Sequence, residues 1–313
     1  MPMALGHEAS GIVEAVGPGV HDLSPGDHVV MSFVPSCGHC LPCAEGRPAL
    51  CVPGAEANGK GVLLSGERRL ACDEVPVNHH LGVSGFATHA VVSRHSAVKL
   101  DRELPLAEAA LFGCAVLTGV GAVVNTCRVQ PGQSVAVVGL GGVGLAAVLG
   151  AVASGAERVI AVDLAPAKLE IALNLGATDV FLASDVDVIE RIREATSGGV
   201  DHALEMAGST RAFDLAYRIT RRGGTTATAG LANPVSQFAI PAVSLVAEER
   251  RVLGSYLGGC VPSRDIPRFI GLYRRGRLPV DRLLSSTGPL EEINEAFDLL
   301  HEGKVIRHVI TFD

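Results

Sequence analysis

The sequence predicts an α/β protein in which a β-rich segment carrying a cysteine-dense loop precedes a doubly wound parallel sheet. Three observations predict it. Beyond Leu104, short Val- and Ala-rich runs alternate with stretches of helical period, the pattern of successive βαβ units. Before Leu100, short apolar runs are separated by Gly-Pro and Pro-Gly turns. Residues 135–156 carry no charge over 22 positions, yet Gly139, Gly141, Gly142 and Gly144 break them into a Val-rich run, a tight turn and an Ala/Leu-rich run. That is a buried strand entering a helix, not a membrane span. At 313 residues the chain exceeds what one hydrophobic core usually organises, so two domains are expected.

Taken in order, the turns Gly17-Pro18-Gly19 and Ser24-Pro25-Gly26 delimit strands expected at 11–16 and 27–31, and runs at 87–92 and 97–100 continue the β-rich segment. Residues 37–85 read largely as loop, with Pro, Gly and charged residues interspersed. Further strands are expected at 135–138, 159–162, 180–182, 203–205 and 225–229. Helices lie between them: 168–175 stops at Gly176 and 188–195 at Ser197-Gly198-Gly199, glycines suited to a left-handed cap. A helix around Phe269, another at 293–301 and a last strand at 307–312 complete the chain.

Composition narrows the function. With 48% apolar and 19% charged residues and no collagen-like period, the chain is globular, neither disordered nor a coiled coil. A net charge of -7 without a dense Lys/Arg cluster argues against nucleic acid as a partner. The start Met-Pro-Met-Ala-Leu-Gly-His-Glu has neither the basic nor the apolar stretch of a secretory signal, so a cytoplasmic location is expected.

Two motifs carry chemistry. Gly139-Leu-Gly141-Gly-Val143-Gly144 is G-x-G-x-x-G placed after an expected strand and before an expected helix. Gly139 permits the tight turn, Gly141 lets backbone approach a pyrophosphate, and Gly144 lets the helix sit against the strand with its N-terminus toward the phosphates. The next strand ends at Asp163, 24 residues after Gly139, where a carboxylate accepts bonds from ribose hydroxyls; this favours NAD over NADP, with Lys168 softening the discrimination. The second motif is Cys37-x2-Cys40-x2-Cys43-x7-Cys51, inside the loop that lacks a core. Four thiolates at this spacing point to a structural zinc; the x7 gap and the lack of a second cysteine run set it apart from an iron–sulfur ferredoxin. Cys72, Cys127 and Cys260 read as ordinary core or surface residues, and Cys114, taken alone, as a buried hydrophobe. His7-Glu8 by itself reads either as a ligand with its carboxylate partner or as a surface dipeptide. His79-His80 is no metal pair on a strand, where neighbours point to opposite faces.

Gly-His7-Glu8-Ala, the four-cysteine lobe, Gly-Cys114-x3-Thr118-Gly, the glycine turn with Asp163, and the ending Ile306-Arg307-His-Val-Ile-Thr-Phe follow one another in order along essentially the whole chain. In this the sequence resembles the zinc-dependent alcohol dehydrogenases of the medium-chain dehydrogenase/reductase family. The resemblance implies a GroES-like catalytic domain over 1–115 and 257–313 and a Rossmann NAD-binding domain over 116–256. It implies a catalytic zinc on His7 and Cys114 with Glu8 close behind the metal, and a structural zinc on Cys37, Cys40, Cys43 and Cys51. It also implies Thr118 and Val143 beside the nicotinamide, Asp163 and Lys168 on the adenosine ribose, and Arg307 on the pyrophosphate. Phe33, His80 and Leu81 match substrate-pocket positions. The implied substrate is a small alcohol or aldehyde, with no nucleic acid or membrane partner. The implied assembly is a homodimer, or a tetramer, in which the strand near residues 251–258 pairs with its twin.

In that family a cysteine well before Gly-His-Glu is the first catalytic ligand, and a Ser or Thr soon after it begins the proton relay. This sequence starts six residues before His7, so both lie outside it, and a fragment or a misplaced start is expected. The leading expectation is NAD-dependent oxidation of primary or secondary alcohols. One alternative is a thiol-dependent formaldehyde dehydrogenase, against which the sequence leans: Cys51-Val-Pro-Gly-Ala-Glu-Ala-Asn lacks the arginine of the glutathione-using branch. The other is a catalytically silent NAD-binding form.

Overall fold

The Val- and Ala-rich runs become a six-stranded, all-parallel sheet. Its strands are β1 (Ser134–Val138), β2 (Arg158–Asp163), β3 (Asp179–Leu182), β4 (Val200–Glu205), β5 (Thr220–Thr228) and β6 (Arg251–Gly254). In space they run β6-β5-β4-β1-β2-β3, so the order reverses between β1 and β4, where an open α/β sheet takes its ligand. Residues 135–138 of β1 are at most 3% exposed, because helices cover both faces; a strand buried on both sides reads as a continuous apolar run. The crossovers are α1 (Gly142–Ala153), α2 (Pro166–Asn174), α3 (Val188–Ala195) and α4 (Thr210–Ile219). On one face Ala136, Val138, Ile160 and Val162 meet Val188 and Ile192 of α3 and Leu215 and Ile219 of α4. Gly176, Gly198 and Gly199 all take positive φ just after their helices, the conformation an L side chain resists.

In the computed structural model, which describes residues 2–312, this sheet belongs to a unit made of Thr118–Gly259 and Gly276–Leu283. A second unit comprises Met1–Leu117, Cys260–Arg275 and Leu284–Asp313. It contains an antiparallel sheet of Ala9–Ile12, His28–Met31 and Ala97–Leu100, in which Ser10 and Val98 flank Val30. It also holds the parallel pair Ser286–Gly288 with His308–Ile310, and the helices Pro262–Arg274 and Ile293–His301. Among the described residues no single helix is long and apolar enough to cross a membrane, and residues 135–156 form β1 and α1 as read.

Three local expectations are corrected. The first strand stops at Ile12: beyond it only Val13 keeps a bond to Asp27, and residues 14–16 are exposed. Residues 87–92 form no strand; Val91 is half exposed, and only Val92 packs, against Leu23, Val29 and Ala97. Apolar alternation without a partner strand leaves the backbone unpaired. Residues 37–85 are far from all loop, since they hold helices Leu41–Ala44 and Val52–Lys60 and the hairpin Leu70–Cys72 with Val75–His79. Prolines at the starts of both helices and left-handed Gly61 at the end of the second are the signals that reading passed over.

The sheet is also pinned by charge at its amino-terminal edge. Arg158, opening β2, grips Asp179, opening β3, through two bonds of 2.8 Å, and this guanidinium holds the Asp179 carboxyl below the usual carboxylate range. A depressed folded-state pKa contributes stability above the unfolded value of about 3.9, and the contribution is lost as pH falls through the folded value. Asp179→Asn is therefore expected to lower stability by about 1 kcal/mol at pH 7, with the deficit vanishing in strong acid. Urea melts across the acid range check this; a deficit independent of pH would contradict it.

Candidate functional site

The first constellation grows from the short strand Met3–Ala4, which pairs with Asn78 and His79 and so carries the following residues past His80. Gly6 makes the passage possible: it has φ +92°, and a Cβ there would lie 2.6 Å from the Phe86 nitrogen. The His7 ring then stands edge-on to Phe33 and His80, with centroids 5.5 and 5.4 Å apart. Cys114 arrives from far along the chain, at the break between the 3-10 turn Leu111–Gly113 and the helix Ala115–Gly121. Gly113 presses that turn onto the Met31 strand, where a Cβ would meet the Met31 oxygen at 2.4 Å. Ligand atoms of His7, Glu8 and Cys114 all fall within 4.8 Å of one another, in half-buried surroundings.

Glu8 is held from two sides. Its Oε1 accepts from the Ala115 N–H at 2.8 Å, and its Oε2 lies 3.5 Å from Arg307 Nε. An imidazole nitrogen, a thiolate and a nearby carboxylate are the donors zinc selects, so the three residues fit a metal centre. His79 and His80 point apart: His79 Nε2 accepts from the Arg69 N–H, whereas His80 faces His7. Burial, with the His7 imidazole alongside, pushes the His80 imidazole below its usual value. Leu81 follows His80 in the left-handed region, at φ +53°.

The second constellation is the cysteine lobe. Sulfurs of Cys37, Cys40, Cys43 and Cys51 also fall within 4.8 Å of one another, with Cys40 Sγ 3.5 Å from Cys43 and 3.9 Å from Cys51. Backbone N–H groups of Cys37 and Gly54 donate to Cys51 Sγ, and that of Cys40 donates to Cys37 Sγ. A backbone donor at Cys43 brings the Cys40 thiol down to about 6, whereas burial pushes Cys43 up to about 12. Four sulfurs this close fit a tetrahedral dication, the donor set that zinc selects. Among the described residues no disulfide forms.

The third is the glycine turn between β1 and α1. Gly144 lies so close to Gly139 that a Cβ would sit 1.8 Å from the Gly139 oxygen, while a Cβ on Gly141 would meet nothing within 4 Å. Open space at Gly141 is the cradle a pyrophosphate requires. Asp163, closing β2, folds back: its Oδ2 accepts from the Leu140 N–H at 2.7 Å and its Oδ1 from Ala165 at 2.9 Å. Lys168 is half-buried in the first turn of α2. Thr118 is buried in the helix that leans on α1, where Gly119 would need only a Cβ to reach the Val143 oxygen at 2.2 Å. Sequence reasoning missed Glu205, the carboxylate at the end of β4, which binds the loop beside this turn; an acid closing an apolar strand just before Gly208 was the available signal.

Two family models match the chain: an alcohol dehydrogenase GroES-like domain over residues 1–102 and a zinc-binding dehydrogenase over 142–275. The chain belongs to the zinc-dependent medium-chain alcohol dehydrogenases. Among curated relatives, a probable S-(hydroxymethyl)glutathione dehydrogenase 1 of Schizosaccharomyces pombe is 39% identical over 99% of this chain and 82% of its own length. An S-(hydroxymethyl)glutathione dehydrogenase of Synechocystis is 40% identical over 99% and 85%. Benzyl alcohol dehydrogenase from Acinetobacter calcoaceticus, a solved structure, superposes with a TM-score of 0.94 at 34% identity, covering 100% of this chain and 85% of that one. The dehydrogenase is thus an oxidoreductase of the NAD- and zinc-using kind, with the expected GroES-like and Rossmann architecture.

Because the lobe sulfurs close on one another, Cys43→Ala is expected to lose one zinc per chain and to expose the 37–51 segment to protease, leaving NAD binding intact. Elemental mass spectrometry with limited proteolysis reads both effects, and an unchanged zinc content would count against a metal in the lobe.

Proposed function

We propose that the dehydrogenase oxidises the S-hydroxymethyl adduct that formaldehyde forms with a low-molecular-weight thiol, with NAD as hydride acceptor. The observation that carries this reading is the identity of about 40% to relatives named for that adduct, over almost the whole chain. The sequence alone leaned the other way, for want of an arginine after Cys51.

In this reading His7 and Cys114 hold the catalytic zinc and the four lobe cysteines the structural one. When bound, zinc supplies Lewis acidity toward the substrate hydroxyl and NAD supplies the hydride acceptor. The chain's own groups do the rest. Glu8, held by the Ala115 N–H and Arg307, would place a negative charge beside the metal that His7 and Cys114 would hold. Phe33, His80 and Leu81 wall the substrate, and the edge-on contacts of Phe33 and His80 orient the His7 ring. Gly139, Gly141 and Gly144 take the pyrophosphate, Asp163 and Lys168 the ribose, Thr118 and Val143 the nicotinamide side, and Arg307 a phosphate. Residues 1–115 with 257–313 then form the catalytic domain and 116–256 the NAD domain. A cytoplasmic setting agrees with eight cysteines without a disulfide.

A second reading, a simple aromatic or aliphatic alcohol as substrate, is favoured by the missing arginine and by the likeness to the benzyl alcohol enzyme. NADH formation decides between them. Formaldehyde with glutathione, or with another small thiol, is expected to turn over at least about tenfold better than formaldehyde alone or benzyl alcohol. Equal rates with and without thiol would favour the simple alcohol.

The dehydrogenase is also proposed to assemble as a homodimer, or a tetramer built on it, through β6. That strand is the sheet's edge, and the segment before it exposes Leu231, Val235, Val243 and Val246, each more than 70% accessible. Light scattering is expected to give twice or four times the chain mass, and Val246→Glu with Leu253→Lys to lower it; a monomeric parent would sink the assembly.

A further inference from the structure

Glu205 closes β4 at the carboxyl end of the sheet and is 2% exposed, a carboxylate taken almost wholly out of water. A buried charge is tolerated only when its lone pairs are filled, and here they are. Its Oε1 accepts from the N–H groups of Ala207 at 2.8 Å and Gly208 at 2.6 Å, with Ser209 at 3.3 Å. Its Oε2 accepts from the Thr228 hydroxyl at 2.6 Å, on the neighbouring strand β5. Its own carbonyl accepts from Ala229 and Gly230. One residue thereby organises the loops that follow two strands.

Those loops are the flank of the glycine turn. Gly139 has φ +96°, and a Cβ on it would lie 2.7 Å from Ala207 Cβ and 2.8 Å from the Ala207 nitrogen. Met206 N–H donates to Val138, the residue before the turn. Behind them Gly208 and Gly230 abut, since a Cβ on Gly230 would meet Gly208 nitrogen at 2.1 Å. These segments meet at backbone atoms and the Ala207 methyl alone, so a shift in the 206–209 loop is passed to Gly139 directly. The amides of residues 207–209 also lead into the N-terminus of α4, a set that invites an anion. Glu205 fills it from within, leaving the turn at α1 as the open phosphate cradle.

We propose that Glu205 is a positioning residue for the cofactor: an internal carboxylate that holds the β4–α4 and post-β5 loops against the glycine turn and so sets the turn's shape for NAD. This rests on the reading that the turn at Gly139–Gly144 takes the dinucleotide. What the position requires is an acceptor, not a charge. A glutamine keeps one oxygen for the three amides, and its NH2 can donate to the Thr228 hydroxyl, which turns to accept. An alanine leaves the amides without a partner.

The test measures NAD affinity by calorimetry and splits KM for NAD from kcat in four variants, with zinc content and melting temperature followed alongside. Glu205→Ala is expected to weaken NAD about 10- to 100-fold, with the alcohol KM and zinc content unchanged, while Glu205→Gln stays within about threefold of the parent. Thr228→Val, which removes only the Oε2 partner, is expected to give an intermediate loss. It serves in place of the alanine variant if that chain does not fold. NAD affinity unchanged in Glu205→Ala, or in Thr228→Val where the former is not obtained, overturns the proposal. So does equal loss in Glu205→Ala and Glu205→Gln, because acceptor rescue is its signature. Gly141→Val keeps the two failures apart: its φ of −70° is ordinary and its Cβ is unopposed, so the chain folds and the side chain fills the cradle. If that variant still binds NAD as the parent does, the site reading itself is wrong; if it loses NAD while Glu205→Ala does not, only the role of Glu205 is.

Discussion

Contact of backbone on backbone at Gly139 and Gly144 is the constraint on which the nucleotide-binding unit depends. A single methyl group at Gly144 would lie inside the Gly139 carbonyl, at 1.8 Å. Only with that methyl absent can α1 begin immediately after β1, its first amides beside the crevice where the strand order reverses. The same need for close approach recurs around it: Gly119 against Val143, Gly139 against Ala207, Gly230 against Gly208. Such contacts leave no slack, so the loops after β1, β4 and β5 hold one shape together, with Asp163 and Glu205 supplying the acceptors that their amides would otherwise lack.

In the other unit, charge plays the part that close packing plays here. Four sulfurs within 4.8 Å, and a histidine, a cysteine and a glutamate equally close, are arrangements that a chain cannot hold by apolar burial. Backbone amides donate to the lobe sulfurs, and the Ala115 amide by a hydrogen bond and Arg307 by an ion pair steady Glu8, so donor sets are oriented before any metal is considered. The lobe spans a stretch with few buried residues, where four convergent sulfurs would let a bound metal supply the order that a core supplies elsewhere.

Legibility followed burial. The central sheet and its crossover helices were readable because strands buried on both faces become unbroken Val/Ala/Ile runs, and the helices at 168–175 and 188–195 because their periods are bounded by clear stops. At 87–92 the same residue types misled, since a β-prone run becomes a strand only beside a partner. In 37–85 short helices were missed because prolines and glycines there start and stop helices as well as break them.

By itself the sequence determined the local chemistry: a glycine turn between strand and helix, an acid 24 residues on, four cysteines at ligand spacing, and the order of motifs that marks the family. Each of these is short-range, set by backbone conformations and spacings within a few tens of residues. Tertiary structure alone decided that Glu8 would meet Ala115 across 107 positions and Arg307 across the length of the chain, and that Glu205 would bind the flank of the glycine turn. Contacts between residues so far apart arise from how elements pack, and packing leaves no period in the sequence from which to read them.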